Sequence, residues 1–452
     1  MMGVFAFIQN LFQSSSIFVH HIFAHLSAVL ILIIISKIVV ELGGQTKAVF
    51  LVLLCIIIAP AFGRSQQLFQ PVVFSQLFWV LNFYLLLKYV KYSDKKFLWY
   101  LTITTTLAFL TKYDAVFFIF GVSALLMFKS TRQTLIKHRF WWNAIVFILL
   151  ISPNIVWQYL NDFPVLKMFA RLYEMHLDKL TPIEVIESLV IALNPVTLLI
   201  SIGGIVFMFH NKMKLYRPLT LSILLSAILL MYSQGKSYYF YPMALTILTY
   251  GGVFWENVLF AKRKWLIYPV SVILLFGVIL IPFGMPVFPL ASYLKNDYPY
   301  EKKEVAGGQY GIRFEERYSK EKWSESLKEL QSVYDSLPET DRKNSIIWGK
   351  HYAQAGAVNL FNKQYGLPTA FSLHGSFYNW VPKGEMPAVT IALGYNVGGF
   401  FHEHFDEIIK VRTIYNPYSE NEEELHQHIY ICRKPKQTFD ELKRLFEDRI
   451  FE

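Results

Sequence analysis

Two lysines, each followed closely by tyrosine, sit at the edges of long apolar runs. One is Lys112 in Thr111-Lys112-Tyr113-Asp114, the other Lys236 in Gly235-Lys236-Ser237-Tyr238-Tyr239. An ammonium beside a membrane is costly unless it snorkels to water or binds an anion. Two such lysines with neighbouring phenols can clamp a phosphate through charge-assisted hydrogen bonds. The plainer reading makes them interfacial anchors in an aromatic belt, and spacing alone favours it. Asp114 has the chemistry of a base, but two residues from Lys112 it reads better as that lysine's ion-pair partner. Two further polar stretches stand at run edges: Phe69-Gln70-Pro71 and Pro153-Asn154-Ile155-Val156-Trp157-Gln158.

Other reactive types give weaker signals. His20, His21 and His25 lack a nearby carboxylate and read as interface histidines rather than metal ligands. His402-Glu403-His404 lacks the i, i+4 histidine spacing of a helical zinc site and reads as a solvated face. Cys55 lies in an apolar run and Cys432 in the tail, so neither a disulfide framework nor a cysteine metal site follows. The small residues of Gly349 to Ala357 follow a strand and open a helix; they suit close packing, or an anion at the helix start, and packing is the simpler account.

The elements that must position these groups are membrane helices. The chain has 452 residues, 54% hydrophobic and 17% charged, with mean hydropathy +0.35. A soluble chain carries roughly 25% charged residues, and the deficit lies in the first two thirds. Period-2 alternation is absent there, so the runs read as helices and not barrel strands. About ten spans are expected, near 18–40, 47–63, 72–90, 97–111, 114–128, 140–159, 188–209, 217–233, 238–257 and 265–283. The stretch 97–128 would be about 48 Å long as one helix, so it reads as a hairpin with Lys112 and Asp114 at its tip. Residues 160–187 read as an amphipathic helix at the membrane surface.

The net charge of +10 belongs to topology rather than to nucleic acid. Basic loops around Lys88 to Lys96, Lys129 to Arg139, Lys212 to Arg217 and Lys262 to Lys264 alternate with loops poor in lysine and arginine. The positive-inside rule puts the basic set in the cytoplasm. The edges bearing Arg64, Lys112 and Lys236 then face out, as does the tail. An N-terminus outside the cell, opening on an apolar stretch at 1–17 without positive flanks, suggests that an upstream span and loop are missing.

The fold expected is a polytopic α-helical membrane bundle over 1–284 with an extracytoplasmic α/β domain over 285–452. In that domain helices are predicted over 320–336, 352–364, 400–409 and 437–448. Strands are predicted over 345–349, 369–373, 388–393 and 428–432, in a largely parallel sheet.

Taken in order, the motifs resemble a family. They are Gln70-Pro71-Val72, Leu110-Thr111-Lys112-Tyr113, Ser152-Pro153-Asn154 to Trp157-Gln158, Asn194-Pro195, and Gly235-Lys236-Ser237-Tyr238-Tyr239 with Pro242. In the tail the set continues through Gly349 to Gly356, Tyr365-Gly366-Leu367-Pro368, and Leu373-His374-Gly375-Ser376 with Trp380. The chain resembles bacterial membrane glycosyltransferases of family 39, of the GT-C type, relatives of protein O-mannosyltransferases and of the transferases that add aminoarabinose to lipid A.

The resemblance implies sugar transfer from a polyprenyl-phosphate donor to a lipid, glycan or protein acceptor at the outer face of the bacterial cytoplasmic membrane. It carries lipid-phosphate binding onto Lys112, Tyr113, Lys236, Tyr238 and Tyr239, with Arg64 added by location. Gln70, Asn154, Trp157 and Gln158 would line the cavity. No cofactor is fixed, and a divalent metal is compatible with the family. The family's base is a carboxylate in its first external loop. Here the only carboxylate before Asp94 is Glu41, on the cytoplasmic side, so the base is expected upstream of Met1. A transporter would carry charges at mid-membrane, whereas these stand at span ends; an inactive fragment or glycan-binding scaffold is the other alternative.

Overall fold

The computed structural model describes residues 7, 11–12, 17–174, 181–233, 235–283, 285, 287–289, 302–305, 309–312, 319–395, 399–416 and 424–451. Most of the 1–17 stretch lies outside them, as does Gln234. Contacts divide the chain into two units, Met1–Phe163 with Leu172–Val287, and Pro164–Arg171 with Phe288–Glu452.

The first unit is helical, because in hydrocarbon each backbone N–H and C=O must find its partner within its own segment. Among the described residues, six helices are long and apolar enough to cross a membrane: His21–Glu41, Pro71–Tyr92, Trp141–Leu160, Asn211–Tyr232, Ser237–Phe260 and Lys264–Pro282. Two bent pairs bring the number to eight if each is one span. Ala115–Met127 turns by 104° into Lys129–Lys137, and Pro182–Ala192 by 98° into Pro195–Met208. The expected run of ten differs at its breaks. The 47–63 stretch divides into Thr46–Ile57 and Pro60–Ser65, since Pro60 cannot continue the first helix. The 188–209 stretch breaks at Asn194, whose backbone is left-handed (φ 73°). Its buried side-chain amide donates to the carbonyls of Ile58 at 3.0 Å and Gly277 at 2.8 Å, so the break becomes a tie between three elements.

Small residues let the helices approach. A Cβ on Gly251 would stand 2.1 Å from the Ile200 carbonyl oxygen, and one on Gly252 would stand 2.8 Å from that of Ala48. The Ser237–Phe260 helix therefore presses its backbone against two neighbours at once.

A dense polar knot closes one rim of this unit. Glu41 ends the first long helix and takes Lys88 Nζ at 2.7 Å, Lys91 Nζ at 2.8 Å and the Tyr92 hydroxyl at 2.8 Å. Its backbone carbonyl accepts from Lys91 Nζ and from the Tyr216 hydroxyl. The knot joins the ends of His21–Glu41 and Pro71–Tyr92 to the start of Asn211–Tyr232.

In the second unit, β1 (Lys302–Val305) and β2 (Gln309–Ile312) form an antiparallel ribbon. Five strands form the main sheet: β3 (Ser345–Gly349), β4 (Ala370–Phe371), β5 (Val389–Tyr395), β6 (Phe405–Tyr415) and β7 (His426–Pro435), in the order β4-β3-β5-β7-β6. Ile347, Ile391 and Ile429 face a core with Leu327, Leu330 and Val358. Their neighbours Trp348, Ala392 and Tyr430 face the other side with Phe401, Phe405 and Phe439, as the period of two requires. The helices Ser319–Asp335, Tyr352–Tyr365 and Phe439–Leu445 fall where the sequence predicts them.

Two expectations are corrected. Only β4, β3 and β5 are parallel, while β5, β7 and β6 are antiparallel, so the sheet is mixed. The predicted 400–409 helix is a short 3-10 turn, Phe400–Glu403, followed by β6. The branched residues from Ile408 to Ile414 favour a strand, and that run outweighs the helical spacing before it.

Candidate functional site

At the rim away from the Glu41 knot, three polar segments meet. Lys112 ends the Lys95–Thr111 helix in an extended conformation (φ −158°, ψ 134°), its N–H bonded to the Ala108 carbonyl. The chain turns through Tyr113 and Asp114 and re-enters a helix at Ala115, as the hairpin reading of 97–128 requires. Pro71 opens the next contributor, the Pro71–Tyr92 helix, with Gln70 as its N-cap. One turn on, the Ser75 hydroxyl reaches Asp114 Oδ1 at 3.0 Å and Oδ2 at 2.9 Å. Lys112 Nζ stands 3.3 Å from Asp114 Oδ2, the expected pair.

The Lys112 ammonium also lies over two rings, 3.6 Å from the Tyr239 centroid and 5.2 Å from that of Tyr238. Both tyrosines belong to the 3-10 turn Ser237–Phe240. Lys236 opens that turn, its carbonyl accepting the Tyr239 N–H at 3.0 Å. The Ser237 hydroxyl accepts from Ser188 at 2.9 Å and meets the Tyr241 phenol, which also feels the charge of Arg64. Lys112 thus lies over the turn that Lys236 opens, far from it in sequence.

Tyr113 faces the other way. Its hydroxyl donates to Asn154 Oδ1 at 2.9 Å and accepts from Gln158 Nε2 at 2.8 Å. Asn154 and Gln158 share a face of the Trp141–Leu160 helix, four residues apart. Pro153 inside that helix leaves the Leu149 carbonyl without its helical donor, and the Ser152 hydroxyl restores one at 2.8 Å. Trp157 is 51% exposed and makes no hydrogen bond in this network. The Gln70 side chain makes no cap hydrogen bond. Ser75 was not legible in the sequence; its only signal is a hydroxyl one turn inside an apolar helix.

The tail motifs find structural uses. A Cβ on Gly349 would stand 2.7 Å from the Ala355 nitrogen, so this glycine serves close packing. His351 caps the following helix: its Nδ1 accepts from the Ala353 N–H at 3.2 Å, and Gln354 Oε1 accepts from the His351 N–H at 3.0 Å. His374, after β4, lies against the His351 ring at 4.2 Å. His404 departs from the solvated-face reading. It is buried beside Trp348 and Phe446, and that burial holds its pKa below the usual histidine range. Burial likewise pushes the Cys432 thiol up to about 12, leaving it inert. Among the described residues, no group of three or more His, Cys, Asp or Glu side chains is placed to hold a metal.

Residues 4–157, about a third of the chain, match the family model of dolichyl-phosphate-mannose-protein mannosyltransferase. No curated protein matches the chain. The segment is thus similar to a GT-C glycosyltransferase family related to the protein O-mannosyltransferases, the kind of family that the motifs resemble. It contains Arg64, Gln70, Lys112, Tyr113, Asn154 and Trp157; Lys236, Tyr238 and Tyr239 lie beyond it.

Proposed function

We propose that this chain is a membrane glycosyltransferase that moves a sugar from a polyprenyl-phosphate donor to an acceptor at the outer face of the cytoplasmic membrane. The carrying observation is the Lys112 ammonium, held by Asp114 at 3.3 Å and set over Tyr239 at 3.6 Å, in the turn that Lys236 opens. Sugar transfer leaves charge on the departing lipid phosphate. Fixed cations in a water-poor site lower the free energy of that charge as it develops, without reorganising at the moment of reaction. Lys112, Lys236 and Arg64 supply the positive charge, the Tyr239 ring holds the Lys112 ammonium, and the Tyr238 hydroxyl supplies a neutral donor. Asp114 already accepts from Ser75 and Lys112, so its part is to position a cation. Tyr113, with Asn154 and Gln158, orients the turn from the other side.

The scarcity of basic residues in the loops on this side supports an outward orientation, with 1–284 as the membrane bundle and 285–452 as an extracytoplasmic domain. The acceptor class is a lipid, glycan or protein.

The test is transfer of labelled sugar from a synthetic polyprenyl-phosphate donor in membranes carrying the full-length protein. Lys112→Ala and Lys236→Ala should each lower the rate by about 10²- to 10³-fold, the scale of a lost transition-state donor, at equal membrane abundance. Undiminished transfer in both variants would remove the phosphate clamp from this rim.

A further inference from the structure

A second site lies near the other rim, between Lys95–Thr111, Ala115–Met127 and the start of Trp141–Leu160. There an apolar groove of about 320 Å³ is lined by Leu98, Phe118, Leu125, Leu135, Phe140 and Phe147 among others. Ala144, small and exposed, stands at its wall. Two deeper polar groups are linked: Asn143 Nδ2 donates to the Thr102 hydroxyl at 3.0 Å, which donates to the Leu98 carbonyl at 2.9 Å, while Asn143 Oδ1 is buried without a hydrogen bond. The slot offers a hydrocarbon chain an apolar bed.

Its mouth is basic. The Lys129–Lys137 helix turns sharply from the preceding span. It buries Leu135 in the groove while Lys129, Arg132 and Lys137 stay exposed. A bent-over, basic, amphipathic helix is the form that lies along a charged lipid surface. Lys137, His138 and Arg139 fill the loop between the groove residues Leu135 and Phe140, and Lys95 and Lys96 precede Leu98 by about one turn. Arg139 adopts a left-handed backbone (φ 53°), the sharp turn that returns the chain to the groove at Phe140. Burial and then the charges of Lys137 and Lys95 hold His138 below its ordinary pKa, with Asp94 opposing. Asp94 itself is bound to the Lys96 N–H at 2.9 Å and to Lys96 Nζ at 2.9 Å. With Lys95, Lys137 and Arg139 exposed beside it and Lys96 paired to Asp94, the patch is net positive, and it adjoins the apolar slot.

We infer that this groove is a binding site for an anionic phospholipid, one acyl chain in the slot and the phosphate among Lys95, Lys137 and Arg139. The inference rests on membrane insertion and not on the transferase reading. The site lies toward the rim of the Glu41 knot, away from Lys112, and so is separate from the proposed donor site.

The full chain, purified in non-ionic detergent, should retain dioleoyl phosphatidylglycerol over dioleoyl phosphatidylcholine in native mass spectrometry and melt at a higher temperature with the former. Each basic side chain near a lipid surface is worth about a fivefold preference for anionic lipid. Lys95→Ala, Lys137→Ala and Arg139→Ala combined should bring the two lipids to parity without loss of fold, since all three side chains are exposed. Ala144→Trp should reduce retention of both lipids by filling the slot. Glycerol phosphate alone, lacking a chain, should have no effect. Equal retention of the two lipids by the unaltered chain, or a preference that survives the triple substitution, would overturn the inference.

Discussion

Lys112 Nζ stands 3.6 Å from the centre of the Tyr239 ring, against 5.2 Å from that of Tyr238. The lysine side chain is only 19% exposed. A cation over an aromatic face gains about 2 kcal/mol or more when the pair is desolvated. The aromatic face therefore helps fix the ammonium. Tyr239→Leu should slow sugar transfer by about tenfold or more, while Tyr239→Phe, which keeps the face, should retain most of the rate. Initial rates normalised to membrane abundance decide this; equal losses in both would move the role from the ring to the hydroxyl.

The Tyr113 hydroxyl links its own turn to the Trp141–Leu160 helix through two hydrogen bonds. Side-chain hydrogen bonds between membrane helices average about 0.6 kcal/mol and reach about 1.7 kcal/mol. Tyr113→Phe should cost roughly 1 kcal/mol of stability by the same scale, read as an earlier midpoint on denaturant titration in detergent. Gln158→Ala made in the Tyr113→Phe background should add less than it does alone, because both act through one bond.

Among the described glycines of the first unit, Gly251 makes the tightest approach to another helix's backbone. Its Cβ would stand 2.1 Å from the backbone oxygen of Ile200, and a backbone atom cannot swing aside as a side chain would. Gly251→Ala should destabilise by about 1–3 kcal/mol, and Gly251→Leu should keep the chain from accumulating in membranes. Comparison with Gly43→Ala, whose added Cβ meets nothing within 4 Å but whose φ of 93° is strained, separates crowding from backbone conformation.

His404 gives the second unit a pH response. Burial lowers its pKa, Lys436 adds to the effect, and Gln437 and Glu403 oppose it. The unfolded chain, with histidine near 6.5, binds the proton more readily than the folded one. Stability is therefore complete above about pH 6.5 and falls as the pH drops from there through the lower folded value. His428, also held down by burial, acts in the same sense. The melting temperature of the full chain's second-unit transition should fall between pH 7 and 5, and His404→Gln should flatten that slope. An unchanged slope would exclude His404 as its source.

The spans and the Lys112 turn were legible because hydrocarbon permits so few backbone solutions and because Thr111-Lys112-Tyr113-Asp114 interrupts an apolar run too long for one crossing. The meeting of Lys112 with Tyr239 was not readable from spacing, since it depends on which helices neighbour one another. Ser75 escaped for the same reason: a single hydroxyl in an apolar helix gains meaning only when Asp114 is placed beside it. In the tail, Phe400 to His404 suggested a helix by its apolar spacing, and the strand from Phe405 was hidden by reading on across that boundary. The antiparallel pairing of β5 with β7 was equally invisible, because strands buried on both faces have the same composition in either direction.

The Glu41 knot has a mechanical corollary. It rivets the ends of two long helices to the start of a third, while Ser75, at the far end of Pro71–Tyr92, lies 13 residues or about 20 Å from Lys88. Helices pinned at one end splay only at the other. Relative movement of these helices is thereby concentrated at the Lys112 rim, where the Ser75–Asp114 hydrogen bonds are the tie that it must strain.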